Sequence, residues 1–436
     1  MRVVSTRKFV SPSTEPPLSE PAAEAWIPRT CFKNGPPGRT GVELEFLVAG
    51  AGHDGLTEHY PRHRYPRLID TLNGSSEGGL DGRLTMEPGG QVELSSRPGD
   101  TLPQTVDTVH RDLARLRRRA RAGGARLVGL GVDPIRPPRR ITDEPRYRAM
   151  QDYFHPWGAA GPAMMCSTAS VQVNVEAVTC ASDLGARWDL LHTIGPALVA
   201  AFANSPRRGG RPTGFKSSRQ AIWQSLDPAR TEGPPTRPGI DVPTAWTKWA
   251  LDAPLMLIRR ASGDWTAPRG LSFRGWIRHG RGAIPDHPPP TTDDLAYHLT
   301  TLFPPVRPRG HLEIRYLDAL PGCWWIVPTA VIAAVLDDPA TADRALAACA
   351  PVRDRWSAAA RFGVQDPALG RAATEVLTAG AEALRRDPAS ARFADQVEGY
   401  LQRWTIRGRS PADDPPGSAE ATPACDESEQ YREGTA

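Results

Sequence analysis

Along residues 41–48 the chain alternates, with Val42, Leu44 and Phe46 apolar and Glu43 and Glu45 between them. Successive side chains of a strand point to opposite faces, so the two glutamates share one face. The same period of two returns in residues 84–95, where Val92 and Leu94 alternate with Gln91, Glu93 and Ser95. Pro88-Gly89-Gly90 places a tight turn inside that stretch, and Glu87 stands just before it. Residues 171–176 set Val171, Val173 and Val175 against Gln172, Asn174 and Glu176, and residues 311–316 set Leu312, Ile314 and Tyr316 against His311, Glu313 and Arg315. Each segment predicts a strand with one apolar and one polar face. Residues 127–132 predict a further strand.

Helical spacing governs most of the rest. Leu102, Val106, Val109, Leu113 and Leu116 predict a long helix over 101–122, and shorter helices are expected over 66–72, 146–154 and 183–204. Another starts within 215–223, and one over 291–302 carries Asp293 and Asp294 in its first turn. Ser19 and Pro21 open a helix that should end before Pro28. From residue 323 the chain turns Ala/Leu-rich, with helices near 324–337, 341–361, 369–385 and 389–404. Residues 1–17 read as a disordered leader and 408–436 as a disordered tail, leaving a catalytic unit over 18–322 and a helical part over 323–407 packed on it.

Composition narrows the function classes. The chain has 436 residues, enough for a large core, and its 45 prolines and 40 glycines imply many turns and long loops. A formal net charge of +4 is too small to mark a nucleic-acid binder, and the basic run 115–121 has no aromatic stacking platform beside it. The six cysteines lack metal-binding spacing and read as scattered thiols of a reducing cytosol. The basic N-terminus leads into no apolar core, and residues 326–336 are too short to span a bilayer, so no membrane partner and a cytoplasmic location are expected. His53, His59 and His63 invite a metal reading, but prolines break the segment and no further ligand falls at suitable spacing.

The chemistry lies on the polar strand faces. Like charges on one buried face repel unless a cation lies among them, and Mg²⁺ suits an all-oxygen site that also takes phosphates. Five carboxylates, Glu43, Glu45, Glu87, Glu93 and Glu313, exceed what an acid/base pair requires and fit two or more Mg²⁺ ions holding a nucleotide's phosphates. Gln172 and Asn174 can donate and accept at once, as a bound substrate or nucleotide needs. Arg315, Arg219 and Arg274, in falling order, are candidates for a phosphate or a substrate carboxylate, and Lys216 is a plausible anion contact. A bland mixed α/β domain with solvated acidic strands remains the competing reading.

These residues resemble those of the glutamate–cysteine ligases, in particular the actinobacterial form that opens ergothioneine biosynthesis. The resemblance rests on Gly41-Val42-Glu43-Leu44-Glu45-Phe46, on Glu87-Pro88-Gly89-Gly90-Gln91-Val92-Glu93-Leu94-Ser95, on residues 166–174, 203–206 and 218–223, and on 298–307 leading into His311-Leu312-Glu313-Ile314-Arg315. It implies an α+β, glutamine-synthetase-like fold, a curved and mostly antiparallel sheet forming the cavity with helices outside. It also implies ATP-dependent phosphorylation of glutamate's γ-carboxylate, followed by attack of cysteine's amine. By that likeness Glu43, Glu45, Glu87, Glu93 and Glu313 are metal ligands, and Arg315, Glu313 and Glu45 act in catalysis. Where the glutamine synthetases have a histidine ligand this chain has Gln172 and Asn174. The partners implied are L-glutamate and L-cysteine, and a monomer or weak homo-oligomer is expected. The alternatives are a related ligase with another amine acceptor, a guanidino phosphotransferase, or a noncatalytic metal- or nucleotide-binding protein.

Overall fold

The computed structural model describes residues 16–50, 59–74, 79–179, 183–236, 239–284 and 287–415. Its strands are β1 (Thr40–Gly50), β2 (Arg83–Met86), β3 (Val92–Ser95), β4 (Ala125–Val128), β5 (Ser170–Glu176), β6 (Arg207–Arg208), β7 (Arg211–Pro212), β8 (Val306–Pro308) and β9 (His311–Asp318). Seven form one sheet in the order β2-β3-β1-β5-β9-β8, with β4 pairing the far end of β1, while β6 and β7 make a separate ribbon. Every strand pairing is antiparallel. The alternation read from the sequence decides the faces: Val42, Leu44, Val92, Leu94, Val171, Val173, Leu312 and Ile314 are all buried in one core.

Helices cover the apolar face. Helix Leu102–Ala122 starts at Thr101, whose hydroxyl accepts from the Gln104 amide, and it buries Val106, Val109, Leu113 and Leu116. Helix Ile326–Asp337 is buried nearly all round and touches both β5 and helix Pro367–Arg386. Tyr400 donates to the Ala201 carbonyl at 2.8 Å, tying the last helices back to the first part of the chain. No helix of the described residues is long and apolar enough to cross a membrane.

Several boundaries differ from the sequence-based expectation. Helix 183–204 divides into Leu184–Thr193 and Gly195–Ala201, because Gly195-Pro196 places a residue without an amide hydrogen at the junction. The stretch 341–361 divides into Pro339–Cys349 and Trp356–Phe362. The first helix runs over Glu20–Cys31 and contains Pro28 in its last turn. Residues 408–415 are packed: the Ala412 amide donates to the Ala203 carbonyl at 2.9 Å, and Trp404 Nε1 donates to Asp414 at 3.0 Å. The tail expected from residue 408 therefore does not begin there. Cys31, Cys166 and Cys349 are thiols, but Cys323 is disulfide-bonded, against the expectation of scattered thiols. His53, most of the leader, and residues 416–436 lie outside the described residues.

Candidate active site

Strand register brings the polar residues together. Glu45 pairs with Glu93 across β1 and β3, and Thr85 of β2 lies beyond Glu93. On the other side Glu43 pairs with Gln172, Asn174 with Glu313, and Glu313 with Arg307. The sheet's polar face thus floors a cavity of about 560 Å³ whose lining includes Glu43, Glu45, Glu87, Glu93, Gln172 and Arg315. Glu313 lies beneath this surface with no exposure at all.

Glu87 reaches the cavity because the β2–β3 turn is tight. The Gly90 amide donates to the Glu87 carbonyl at 2.9 Å, and Gly90 has φ +87°, where a side chain would be strained. Gly89 lies against Cys166 so closely that a Cβ would come within 2.3 Å of its carbonyl oxygen. The Ile141 amide donates to the Pro88 carbonyl at 2.7 Å, which leads the following segment, with Arg146 and Tyr147, over the cavity.

Charge is divided across the floor. Burial raises the Glu43 carboxyl to about 8, with further push from Glu313 and Glu93. Glu87 is likewise raised to about 8, by burial first and then by Glu93 and Glu45, and Glu45 is raised by burial and Glu93. At the other end Glu313 is gripped by arginines: Arg307 bridges both its oxygens at 2.5 and 3.0 Å, while Arg309 and Arg315 each approach to 3.1 Å. Burial alone would raise Glu313, but the charges of Arg307, Arg315 and Arg309 outweigh it and hold the carboxyl well below its ordinary range. Gln172 joins the halves, donating through Nε2 to Glu45 at 2.9 Å and accepting from Arg315 Nη1 at 2.6 Å.

The acidic half has the donor chemistry of a hard-cation site. Its donors are oxygen only, and burial first, then neighbouring carboxylates, push Glu43, Glu45 and Glu87 toward protonation. Asn174 donates through Nδ2 to Glu43 at 3.3 Å and leaves its buried Oδ1 without a donor. The carboxylates are not drawn into a ligand cluster: Glu93 instead accepts from Thr85 at 2.8 Å and Ser95 at 2.9 Å, and no group of three or more His, Cys, Asp or Glu side chains converges among the described residues. Mg²⁺ fits the donor set, while Glu313 already has both oxygens engaged by arginine.

Two predicted anion contacts lie elsewhere. Lys216 is ion-paired with Asp413 in the C-terminal segment. Arg274 is held by Glu20, Glu24 and Asp252, and joins helix Glu20–Cys31 to helix Phe273–His279. Each basic residue near a helix start found a carboxylate from a distant segment, which spacing along the sequence does not reveal. Arg219 does line the cavity; its Nη2 donates to the Arg315 carbonyl at 2.8 Å, and its buried Nε and Nη1 have no acceptor. Sequence reasoning missed Arg307, Arg309 and Arg146 as site residues. Arg307 and Arg309 stand two residues apart directly before His311, a spacing that could have shown them, although Arg309 falls in the turn after β8.

The profile of glutamate-cysteine ligase family 2 matches residues 39–416. The glutamate–cysteine ligase EgtA of Mycobacterium tuberculosis (strain ATCC 25618 / H37Rv) is 40% identical over 410 residues, covering 90% of this chain and 89% of that protein. EgtA of Mycolicibacterium smegmatis is 38% identical over 405 residues and 90% of each chain, and the chloroplastic glutamate–cysteine ligase of Medicago truncatula is 32% identical over 291 residues, 60% of this chain and 56% of that one. A solved glutamate–cysteine ligase of Francisella tularensis in complex with AMP is similar at TM-score 0.47 and 12% identity, over 87% of this chain and 84% of that chain, a likeness too distant to bear on the site. Match and identity run the length of the sheet that carries the cavity, and the chain belongs to glutamate-cysteine ligase family 2.

Proposed function

We propose that this protein is a cytoplasmic ATP-dependent glutamate–cysteine ligase that makes γ-glutamylcysteine through γ-glutamyl phosphate, as the first step of ergothioneine biosynthesis. The observation that carries the reading is the division of one cavity floor into an acidic half and an arginine half, joined by Gln172. Glu43, Glu45, Glu87 and Glu93 would hold Mg²⁺, which when bound neutralises phosphate charge and orients ATP. Arg315 lies beside them and stabilises charge on the phosphoryl oxygens during transfer. Glu313, deep below, keeps Arg307, Arg309 and Arg315 fixed and charged. Arg219 offers two buried N–H groups to a phosphate or a substrate carboxylate. Met150, Met164, Met165, Trp223 and Phe303 form an apolar wall that limits water where an acyl phosphate would otherwise hydrolyse.

The test is product identification with ATP, Mg²⁺, glutamate and a panel of amines. Cysteine should give γ-glutamylcysteine with one ADP per product. Equal turnover of alanine would make the protein a ligase for another amine, and ATP binding without ADP release would make it a noncatalytic binder.

A further inference from the structure

Arg219 reaches the cavity from a helix start that leads back to a buried carboxylate, Asp318, on the same strand that carries Arg315. Asp318 ends β9 three residues after Arg315 and is 2% exposed. It accepts from the Asn204 amide at 2.8 Å, the Ser205 hydroxyl at 2.7 Å and the Ser217 hydroxyl at 2.8 Å. Those two hydroxyls then organise the helix that carries Arg219. Ser205 Oγ accepts from the Arg219 amide at 3.1 Å, and Ser217 Oγ caps helix Ser218–Gln224 by accepting from the Gln220 amide at 3.1 Å. A carboxylate at this place orients both hydroxyls at once, because it can only accept and so each hydroxyl must give it a proton, leaving its own lone pairs for the backbone amides.

The charge of the same carboxylate acts on Arg219, as does that of Glu45 in the cavity. Burial lowers the Arg219 pKa, and the charges of Asp318 and then Glu45 oppose that effect. Asp318 is walled in on another side by Gly131, where a Cβ would come within 2.5 Å of its Cγ. It has no access to the cavity lining. A buried ion at such expense, with two of its three hydrogen bonds spent on the hydroxyls that organise one helix start, is poorly explained by fold stability alone, since buried charges are weak stabilisers.

We infer that Asp318 is a positioning residue, which through Ser205 and Ser217 fixes the helix start of Arg219 and holds that guanidinium charged and aimed into the cavity beside Arg315. The inference rests on the proposed ligase reading only in taking the anion at Arg219 to be a substrate group. If it is correct, the effect of losing Asp318 passes through Arg219 and disappears when Arg219 is already gone.

The experiment is a double-mutant cycle of Asp318→Asn with Arg219→Gln, read on kcat and KM for glutamate and for ATP, together with a crystal structure of the Asp318→Asn protein. With Arg219 present, Asp318→Asn should lower kcat/KM by about 10- to 100-fold, and in the Arg219→Gln background by less than about threefold. In the crystal the guanidinium should have left the Arg315 carbonyl. Additive losses, with Arg219 unmoved, would overturn the inference and leave Asp318 a structural residue. Should Asp318→Asn not fold, Ser205→Ala carries the same cycle, since it removes the link between Asp318 and the Arg219 amide. A wild-type protein without ligase turnover would overturn the proposed function, and the position of Arg219 in the variant crystal would still decide the role of Asp318.

Discussion

Glu45 stands directly opposite Glu93 in the register of β1 and β3. Side chains so paired approach within about 5 Å at Cβ, and like charges there destabilise a sheet. Glu313, two strands away, is the opposite case, a carboxylate shared by three arginines. Substituting the two glutamates should therefore move stability in opposite directions. Without divalent metal, Glu45→Gln should raise stability by about 0.2–1 kcal/mol, the scale of a cross-strand pair. Glu313→Gln should lower it by about 3–5 kcal/mol, because buried arginine charge loses its partner. Both should abolish turnover. Urea unfolding in EDTA checks the signs, and a stabilised Glu313→Gln protein would contradict the arginine-organising role.

Stability should also depend on pH in the metal-free protein. The Glu43 and Glu87 carboxyls are raised to about 8 from an ordinary value near 4.5, so the fold binds protons that the unfolded chain has released. That contribution is full below about 4.5 and is lost as pH rises through about 8. Melting in EDTA should accordingly fall between pH 5 and 8 more steeply than melting in Mg²⁺, where the deprotonated form is stabilised. Calorimetry in buffers of different ionisation enthalpy should register proton release on Mg²⁺ binding near pH 7. Identical pH profiles with and without metal would argue that the two groups are not metal ligands.

Lys216→Ala and Arg274→Ala should leave the KM for ATP within about twofold, because both side chains are paired outside the cavity. Each should cost roughly 0.5–1 kcal/mol of stability, as a partly exposed ion pair does. A tenfold rise in the KM for ATP in either variant would return that residue to the site.

The strands of the sheet and the acidic residues on their polar faces were legible because both follow from period two, while the fold as a whole was implied by the family resemblance. Glu43, Glu45, Glu93, Gln172, Glu313 and Arg315 each alternate with an apolar neighbour, and a buried apolar face leaves the other face only one place to go. The arginine pairings were not legible. Whether Lys216 meets a phosphate or Asp413, 197 residues further along, depends on a C-terminal segment whose composition reads as tail. The arginine grip on Glu313 was hidden for the same reason, since Arg307 meets it only through the β8–β9 register. Helix 183–204 was drawn as one because its apolar period continues through Gly195-Pro196, where the backbone cannot.

The measurement that bears most directly on the proposed chemistry uses glutamate labelled with oxygen-18 in its γ-carboxylate. With ATP, Mg²⁺ and cysteine, one labelled oxygen should appear in each phosphate released, in step with γ-glutamylcysteine, and Arg315→Lys should slow both together. Phosphate released without label, at the same rate as product, would mean that the γ-carboxylate never carries a phosphoryl group, and the reaction assigned to this cavity would be wrong.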